Sequence, residues 1–305
     1  MVAHVAHSTF PDSDAEIAGF VRALGLPGIV DIHVHVLPEK LQRAVWAYFD
    51  ELNDPPWPIT YRYGEAQRLA TLREFGVIAH TALAYAHRPG VAAWCNDHTL
   101  DVSDLYAQVL PTFTFYPENG VEDYVEYALD RGGRVAKIHL QVGRFDATDQ
   151  RLTEIWRRLE VLRVPVVIHA SAVYGIVGGD EYCGPDALRS LLERHPDLTL
   201  IVAHLGMPDF AGFFKLADEV TSLCFDTSAA LLDDFFGHDV DRLVPRLREL
   251  AEQRRLLFGS DFPSLPDPYA AQIRGLARLE LAPDVLGDLL HGTATRMLGS
   301  DEADD

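Results

Sequence analysis

The chain has 305 residues, with 46 acidic against 26 basic side chains and a formal net charge of −20. That imbalance argues against a broad nucleic-acid surface, which needs clustered Lys and Arg to neutralise phosphates. The 48% apolar and 24% charged shares suit a soluble protein with a substantial core, and no apolar run reaches the roughly 18 residues of a membrane span.

In chain order, Asp14–Leu24 has helical spacing and is broken by Gly25-Leu26-Pro27-Gly28. Gly28–His35 reads as the first buried strand, followed by a helix over Pro38–Leu52, a proline-rich break and a helix over Gly64–Phe75. The alternation then becomes regular. Strands are expected over Val77–Leu83, Val109–Phe115, Arg134–Leu140, Pro165–His169, Leu198–His204, Ser222–Asp226 and Leu256–Asp261. Helices are expected over Trp94–Ala107, Val121–Arg131, Asp149–Leu162, Gly184–His195, Phe213–Ala217 (weakly), Val240–Glu252, Tyr269–Leu279 and Pro283–Leu298. Apolar runs separated by helices are the pattern of a parallel sheet covered by helices, and eight such units can close a (β/α)8 TIM barrel, an α/β fold. No Gly-rich dinucleotide fingerprint follows the first strand, so an open nucleotide-binding sheet loses its best support. The expectation is one domain over 1–305, with the aromatic-rich segment 36–70 after the first strand as a cap insertion. Cys95, Cys183 and Cys224 have no paired spacing, and Met1–Asp14 lacks a signal-type apolar core, which together suggest a cytoplasmic protein.

His33 and His35 alternate on one strand and should share its inward face. His169, His204 and Asp261 each follow an apolar run, at the C-terminal strand ends where barrel active sites are built. A single histidine there is more often a hydrogen-bonded structural residue. Four histidines and a carboxylate spread over separate strand ends point instead to a metal.

The ordered pieces are Asp31-Ile32-His33-Val34-His35, Lys137-Ile138-His139, Val167-Ile168-His169-Ala170, Ala203-His204-Leu205-Gly206 and Gly259-Ser260-Asp261-Phe262-Pro263. With these the chain resembles the amidohydrolase superfamily of metal-dependent TIM-barrel enzymes. It is most similar to the amidohydrolase 2 branch, which includes the aminocarboxymuconate-semialdehyde decarboxylase-like proteins, and the likeness runs from Asp31 to about Gly299. The resemblance implies that His33, His35, His169 and Asp261 hold one divalent ion. Zinc is the expected ion, with manganese, iron or cobalt as alternatives. It implies Asp261 as proton handler and His204, expected on the sixth strand, as the group that polarises substrate or water. In binuclear relatives a carboxylated lysine and the matching histidine serve a second ion, here Lys137 and His204. An unmodified Lys137 is the expectation, because this branch usually works with one metal.

The main expectation is a hydrolase that uses a metal-activated water on an amide, ester or lactone of a small, carboxylated substrate. A non-oxidative decarboxylase of an aromatic or unsaturated acid is the alternative, and a non-catalytic metal-binding protein the third reading. Candidate substrate contacts are His139, Arg88, Tyr174, Trp57 and Phe210, while Asp226 is placed to orient a neighbouring ligand. The expected partner is a small molecule rather than nucleic acid or membrane, and a homodimer is compatible with the aromatic insertion.

Overall fold

The computed structural model describes residues 10–52, 56–173, 176–232 and 240–299. A short helix, α1 (Ile17–Ala23), leads into β1 (Ile29–Asp31). Two helices, α2 (Glu39–Asp50) and α3 (Glu65–Glu74), separate β1 from β2 (Val77–His80). From there helix and strand alternate: α4 (Val91–Leu105), β3 (Thr112–Thr114), α5 (Val121–Asp130), β4 (Val135–His139), the single turn α6 (Leu140–Gly143) and α7 (Thr153–Leu162). Then follow β5 (Val166–His169), α8 (Pro185–Leu192), β6 (Leu200–Val202), α9 (Phe210–Glu219), β7 (Leu223–Asp226), α10 (Val244–Glu252) and β8 (Leu256–Leu257). The described chain closes with α11 (Tyr269–Gly275), α12 (Pro283–Gly287), a π turn and α13 (Thr293–Met297). No helix among the described residues is long and apolar enough to cross a membrane.

The strands are all parallel, β1 with β2 and β3 through β8 in sequence order. Backbone hydrogen bonds span both seams between the two groups. His80 N and O bond to Gln108 O and Leu110 N at 2.9 and 2.8 Å, and Ile32 N bonds to Phe258 O at 3.0 Å. The result is the (β/α)8 barrel that the alternation suggests.

Strand register separates the two largest apolar clusters. Val135, Val167, Ile201, Cys224 and Leu257 face the interior and pack with Val30, Ile32, Ala294 and Leu298. Their strand neighbours Ala136, Ile138, Val166, Ile168, Leu200, Val202, Leu223 and Phe225 face the helices. By the same period of two, Lys137, His139, His169 and Asp226 continue the inward rows toward the C-terminal ends. Apolar side chains thus fill the N-terminal half of the barrel, and polar ones its mouth.

Several strands are shorter than expected, and the difference matters at the site. Leu198–His204 shrinks to Leu200–Val202, so His204 stands in a turn after β6 rather than on it. Leu256–Asp261 shrinks to Leu256–Leu257 because the following amides leave the ladder. Gly259 N donates to Thr227 Oγ1, Ser260 N to Asp31 Oδ1 and Asp261 N to His33 O. The weak helix at Phe213–Ala217 is in fact Phe210–Glu219, capped by Asp209, whose carboxylate accepts from Gly212 N at 3.0 Å.

Buried histidines make stability depend on pH. His80 is fully buried, donates Nδ1–H to the Thr81 carbonyl and is pushed by burial down to about 4. His33 is pushed to about 4 as well, while burial also holds His139 and His169 well below 6.5. The folded state therefore refuses protons that the unfolded state takes up, and this stability is lost as pH falls from 6.5 toward 4. Between pH 7 and 5 His80 and His33 each contribute about 2 kcal/mol. Asp31 opposes this trend: burial raises it to about 7, so its contribution is lost as pH rises from 3.8 to 7. It offsets about one histidine, leaving a net loss on acidification. Metal-free protein should show a lower urea midpoint at pH 5 than at pH 7, and His80→Gln should narrow the gap. Equal midpoints would contradict this assignment.

Candidate metal centre

Strict alternation along β1 cannot turn Val30, Ile32, His33 and His35 to one side. The backbone resolves this with a break at Ile32–His33. The carboxylate Asp31 Oδ1 accepts from His33 N at 3.0 Å and from Ser260 N at 3.1 Å, standing in for a neighbouring strand. Pairing resumes where Val34 bridges Phe262 and His35 bridges Leu83. Asp31 also accepts from Ser260 Oγ at 2.6 Å and Tyr269 OH at 2.8 Å. The aspartate of the Asp-Ile-His-Val-His run is therefore a backbone anchor, and the strand's phase changes across it.

Ligand atoms of His33, His35 and Asp261 lie within 4.8 Å of one another, as do those of His33, His204 and Asp226. The two groups differ in what their lone pairs are already doing. The Asp226 carboxylate accepts from His33 Nδ1 at 2.8 Å, His204 N at 3.0 Å, Ser228 N at 3.1 Å and Ser228 Oγ. Burial alone would raise its pKa, but the bond and charge at His33 pull it below the usual carboxylate range. With its oxygens engaged, Asp226 orients His33 rather than offering a ligand.

Fixed acceptors set the tautomers. His35 Nδ1 lies 3.0 Å from the Leu83 carbonyl and His204 Nδ1 lies 3.0 Å from the Ser228 carbonyl. A carbonyl only accepts, so both Nδ1 atoms carry hydrogen, and His33 Nδ1 does likewise toward ionised Asp226. In the neutral rings Nε2 then bears the lone pair. His35 Nε2 faces Asp261 Oδ1 at 3.0 Å, with His33 Nε2 3.6 Å from the same oxygen. Two imidazole lone pairs converging on a carboxylate require a proton or a cation between them. His33 Nε2 and His169 Nε2 are buried without a hydrogen-bond partner among the described residues. These orphaned donors fit a divalent ion with nitrogen and oxygen ligands.

The other rings crowd against this cluster. His204 stands 4.8 Å from His33 and 4.9 Å from His169, centroid to centroid. His169 stacks on His139 at 4.0 Å. Tyr85, on the segment after β2, contacts His35 at 5.8 Å and His139 at 5.2 Å. Lys137 is 1% exposed on the same inward face, with its pKa pushed down to about 8 by burial against the opposing charges of Asp226 and Asp261.

Asp261 and His204 both adopt left-handed backbone, at φ 57° and 55°. Asp261 is also held below the usual carboxylate range: burial pushes its pKa up, but pairing with His35, in the state where that ring's Nε2 is protonated, and positive charge at His204 and His33 outweigh it. Gly259 is required by close approach, since a Cβ there would meet His33 Cβ at 2.8 Å and Ser228 Cβ at 3.3 Å. Gly259→Ala should push His33 from its place, costing about 1–3 kcal/mol of stability and lowering metal affinity about tenfold. Metal titration of the purified variant checks this, and unchanged affinity would show that the loop yields instead.

Most of the proposed substrate contacts lie away from the cluster. Arg88 is exposed, with Nε 3.3 Å from His87 Nε2. Trp57 stacks on Phe49 and donates Nε1–H to the Ser264 carbonyl at 2.7 Å. Phe210 is packed into the layer between barrel and helices. Tyr174 lies outside the described residues. Tyr85 and Ser228 were not singled out in the sequence, although both follow strand ends. The Ser228 hydroxyl touches His33 Nδ1 at 3.1 Å and His204 Nδ1 at 2.9 Å, so it ties the two rings together.

Residues 30–300 match the family model Amidohydro_2, described as amidohydrolase. The chain belongs to this family. No curated protein matches it. Among solved structures, an uncharacterized TIM-barrel protein from Bordetella bronchiseptica superposes with a TM-score of 0.71 at 17% identity, over 89% of this chain and 98% of that one. 5-Carboxyvanillate decarboxylase from Sphingomonas paucimobilis gives 0.61 at 16% identity, over 90% and 99%. A probable 2-pyrone-4,6-dicarboxylic acid hydrolase from Acinetobacter baumannii gives 0.60 at 14% identity, over 89% and 99%. At such identities the likeness to solved structures shows the fold. The amidohydrolase family nevertheless contains enzymes of both kinds, and this member has the His/Asp groups that could bind a metal.

Proposed function

We propose that this protein is a metal-dependent hydrolase that cleaves an amide, ester or lactone in a small carboxylated substrate. The observation that carries the reading is the convergence of His33 Nε2 and His35 Nε2 on the Asp261 carboxylate, with each ring's other nitrogen committed elsewhere. His33, His35 and Asp261 would hold one ion, with His169 Nε2 as the nearby unpartnered donor. Zinc suits this donor set, with manganese, iron or cobalt as alternatives. When bound, the ion supplies Lewis-acid polarisation and makes water acidic enough to act as a nucleophile near neutral pH.

The protein's own groups handle the protons. Asp261, ionised, accepts the nucleophile's proton and returns it to the leaving group. His204, with Nδ1–H committed to the Ser228 carbonyl, presents Nε2 as a proton acceptor. It becomes a donor to a developing oxyanion only after it has taken up a proton, so its two roles follow one another. Asp226 and Ser228 keep His33 and His204 in register through these changes. An unmodified Lys137 leaves the site with one ion and adds positive charge to the inward face.

Decarboxylation is the second reading, favoured by the decarboxylase among the fold neighbours. The same carboxylate and histidine would then deliver a proton to substrate carbon. The deciding experiment offers zinc-loaded protein a panel of lactones, amides and esters of small carboxylic acids alongside the free aromatic acids, following CO2 separately from hydrolysis products. Hydrolysis that is lost on chelation and restored by metal supports the proposal. CO2 release without hydrolysis would overturn it in favour of the second reading, and neither product would leave a metal-binding protein without this chemistry.

A further inference from the structure

We infer that Tyr85 and His139 form a donor pair, on the β2–β4 side of the metal cluster, that binds a carboxylate group of the substrate. This builds on the metal-centred reading of the same site and names a feature of what it takes.

His139 differs in kind from the three anchored histidines. Its Nδ1 receives the backbone N–H of Val142, at 3.4 Å, as the cap of the short turn α6. A backbone N–H only donates, so Nδ1 must be the acceptor and the neutral ring carries its hydrogen on Nε2. In that tautomer His139 has no ring lone pair left for a metal. Its remaining polar atom is a hydrogen-bond donor on the inward face of β4. An imidazolium could not accept from Val142, so the same hydrogen bond marks the ring as neutral.

Tyr85 supplies the second donor. Its ring is wedged between His35 and His139, at 5.8 and 5.2 Å, and its hydroxyl has no hydrogen-bond partner among the described residues. A phenol hydroxyl carries a proton to donate. Two donors on neighbouring rings, with no acceptor among the described residues, suit an anionic oxygen pair. The Lys137 charge lies on the same strand face, two residues before His139, and favours an anion there. Stacking on His169 at 4.0 Å fixes the plane of the His139 ring, so the donor is pre-organised. Arg88, another candidate substrate contact, is exposed and is not part of this pair.

The test uses malonate, whose two carboxylates can meet the ion and the donor pair together, and malonamide, its uncharged counterpart. Binding is followed by calorimetry on the zinc-loaded protein, with zinc stoichiometry measured for every variant. Tyr85→Phe and His139→Phe, which keep the rings, should each weaken malonate binding about tenfold at unchanged zinc content. His139→Gln, which keeps an N–H donor, should stay within about threefold of the parent. Malonamide should bind weakly and be indifferent to all three changes. Failure of the parent to bind malonate, or unaltered affinity in both phenylalanine variants with zinc retained, overturns the inference. If the parent holds no zinc, the metal reading fails on its own, and the same titrations on the metal-free protein still decide the donor pair.

Discussion

Alanine at His33 is expected to abolish stable metal retention and to lower hydrolysis at least about 10³-fold, since the ion's polarisation and water activation go with it. His33 is the ring common to both His/Asp groups. It joins Asp226 at 2.8 Å to the space beside Asp261, and Gly259 is held glycine-sized by its Cβ. The substitution also removes the principal charge-assisted donor from a fully buried carboxylate, so stability should fall with it, by several kcal/mol. Asp226→Asn separates the two effects. It leaves the ring and shortens no side chain, but no longer dictates the Nδ1–H tautomer, and a roughly 10–100-fold loss of metal affinity is expected. Metal analysis after dialysis, read beside thermal melts, distinguishes them. One equivalent of metal and full activity in His33→Ala would remove the proposed centre altogether.

Asn at Asp261 should cost about 10²–10⁴-fold in turnover with the fold intact. The amide keeps the size and tolerates the left-handed backbone at φ 57°, but it neither accepts the nucleophile's proton nor neutralises a cation. Some metal should remain, held by the histidines. The pH profile adds a separate check. Asp261 is held below the usual carboxylate range by positive charge at His35, His204 and His33 when those rings are protonated, against the opposing effect of burial. It therefore stays ionised wherever the protein is folded, and the parent should show no acid limb near pH 4–5 that belongs to this residue. Turnover of Asp261→Asn within tenfold of the parent would assign the proton transfer elsewhere, with His204 as the next candidate.

The fold was largely legible because one physical requirement repeats along the chain. Each strand buried on both faces must be a short apolar run, and each covering helix must show a helical stripe, so the alternation appears without any tertiary knowledge. The polar ends of those runs were equally plain: His139, His169 and Asp226 occupy the last position of β4, β5 and β7. Where strands deviate from period two, the neighbouring residues do not reveal it. The break at Ile32–His33 depends on Asp31 accepting hydrogen bonds from Ser260, more than 200 positions away, and the early end of β8 depends on the same carboxylate. Such acceptors are invisible in a window of neighbouring residues. Aromatic content likewise drew attention to Trp57 and Phe210, whose rings serve packing, and away from Tyr85, which stands among the histidines.

Residue type and spacing alone determined a (β/α)8 chain with imidazoles and a carboxylate at its strand ends, because strand period and burial are local properties of sequence. Only the folded molecule decided what each imidazole can do. The Leu83 and Ser228 carbonyls and the Asp226 carboxylate place hydrogen on Nδ1 of His35, His204 and His33, whereas the Val142 amide places it on Nε2 of His139. A histidine's chemistry is set by the partner of its other nitrogen, and for three of these four rings that partner comes from a different part of the chain.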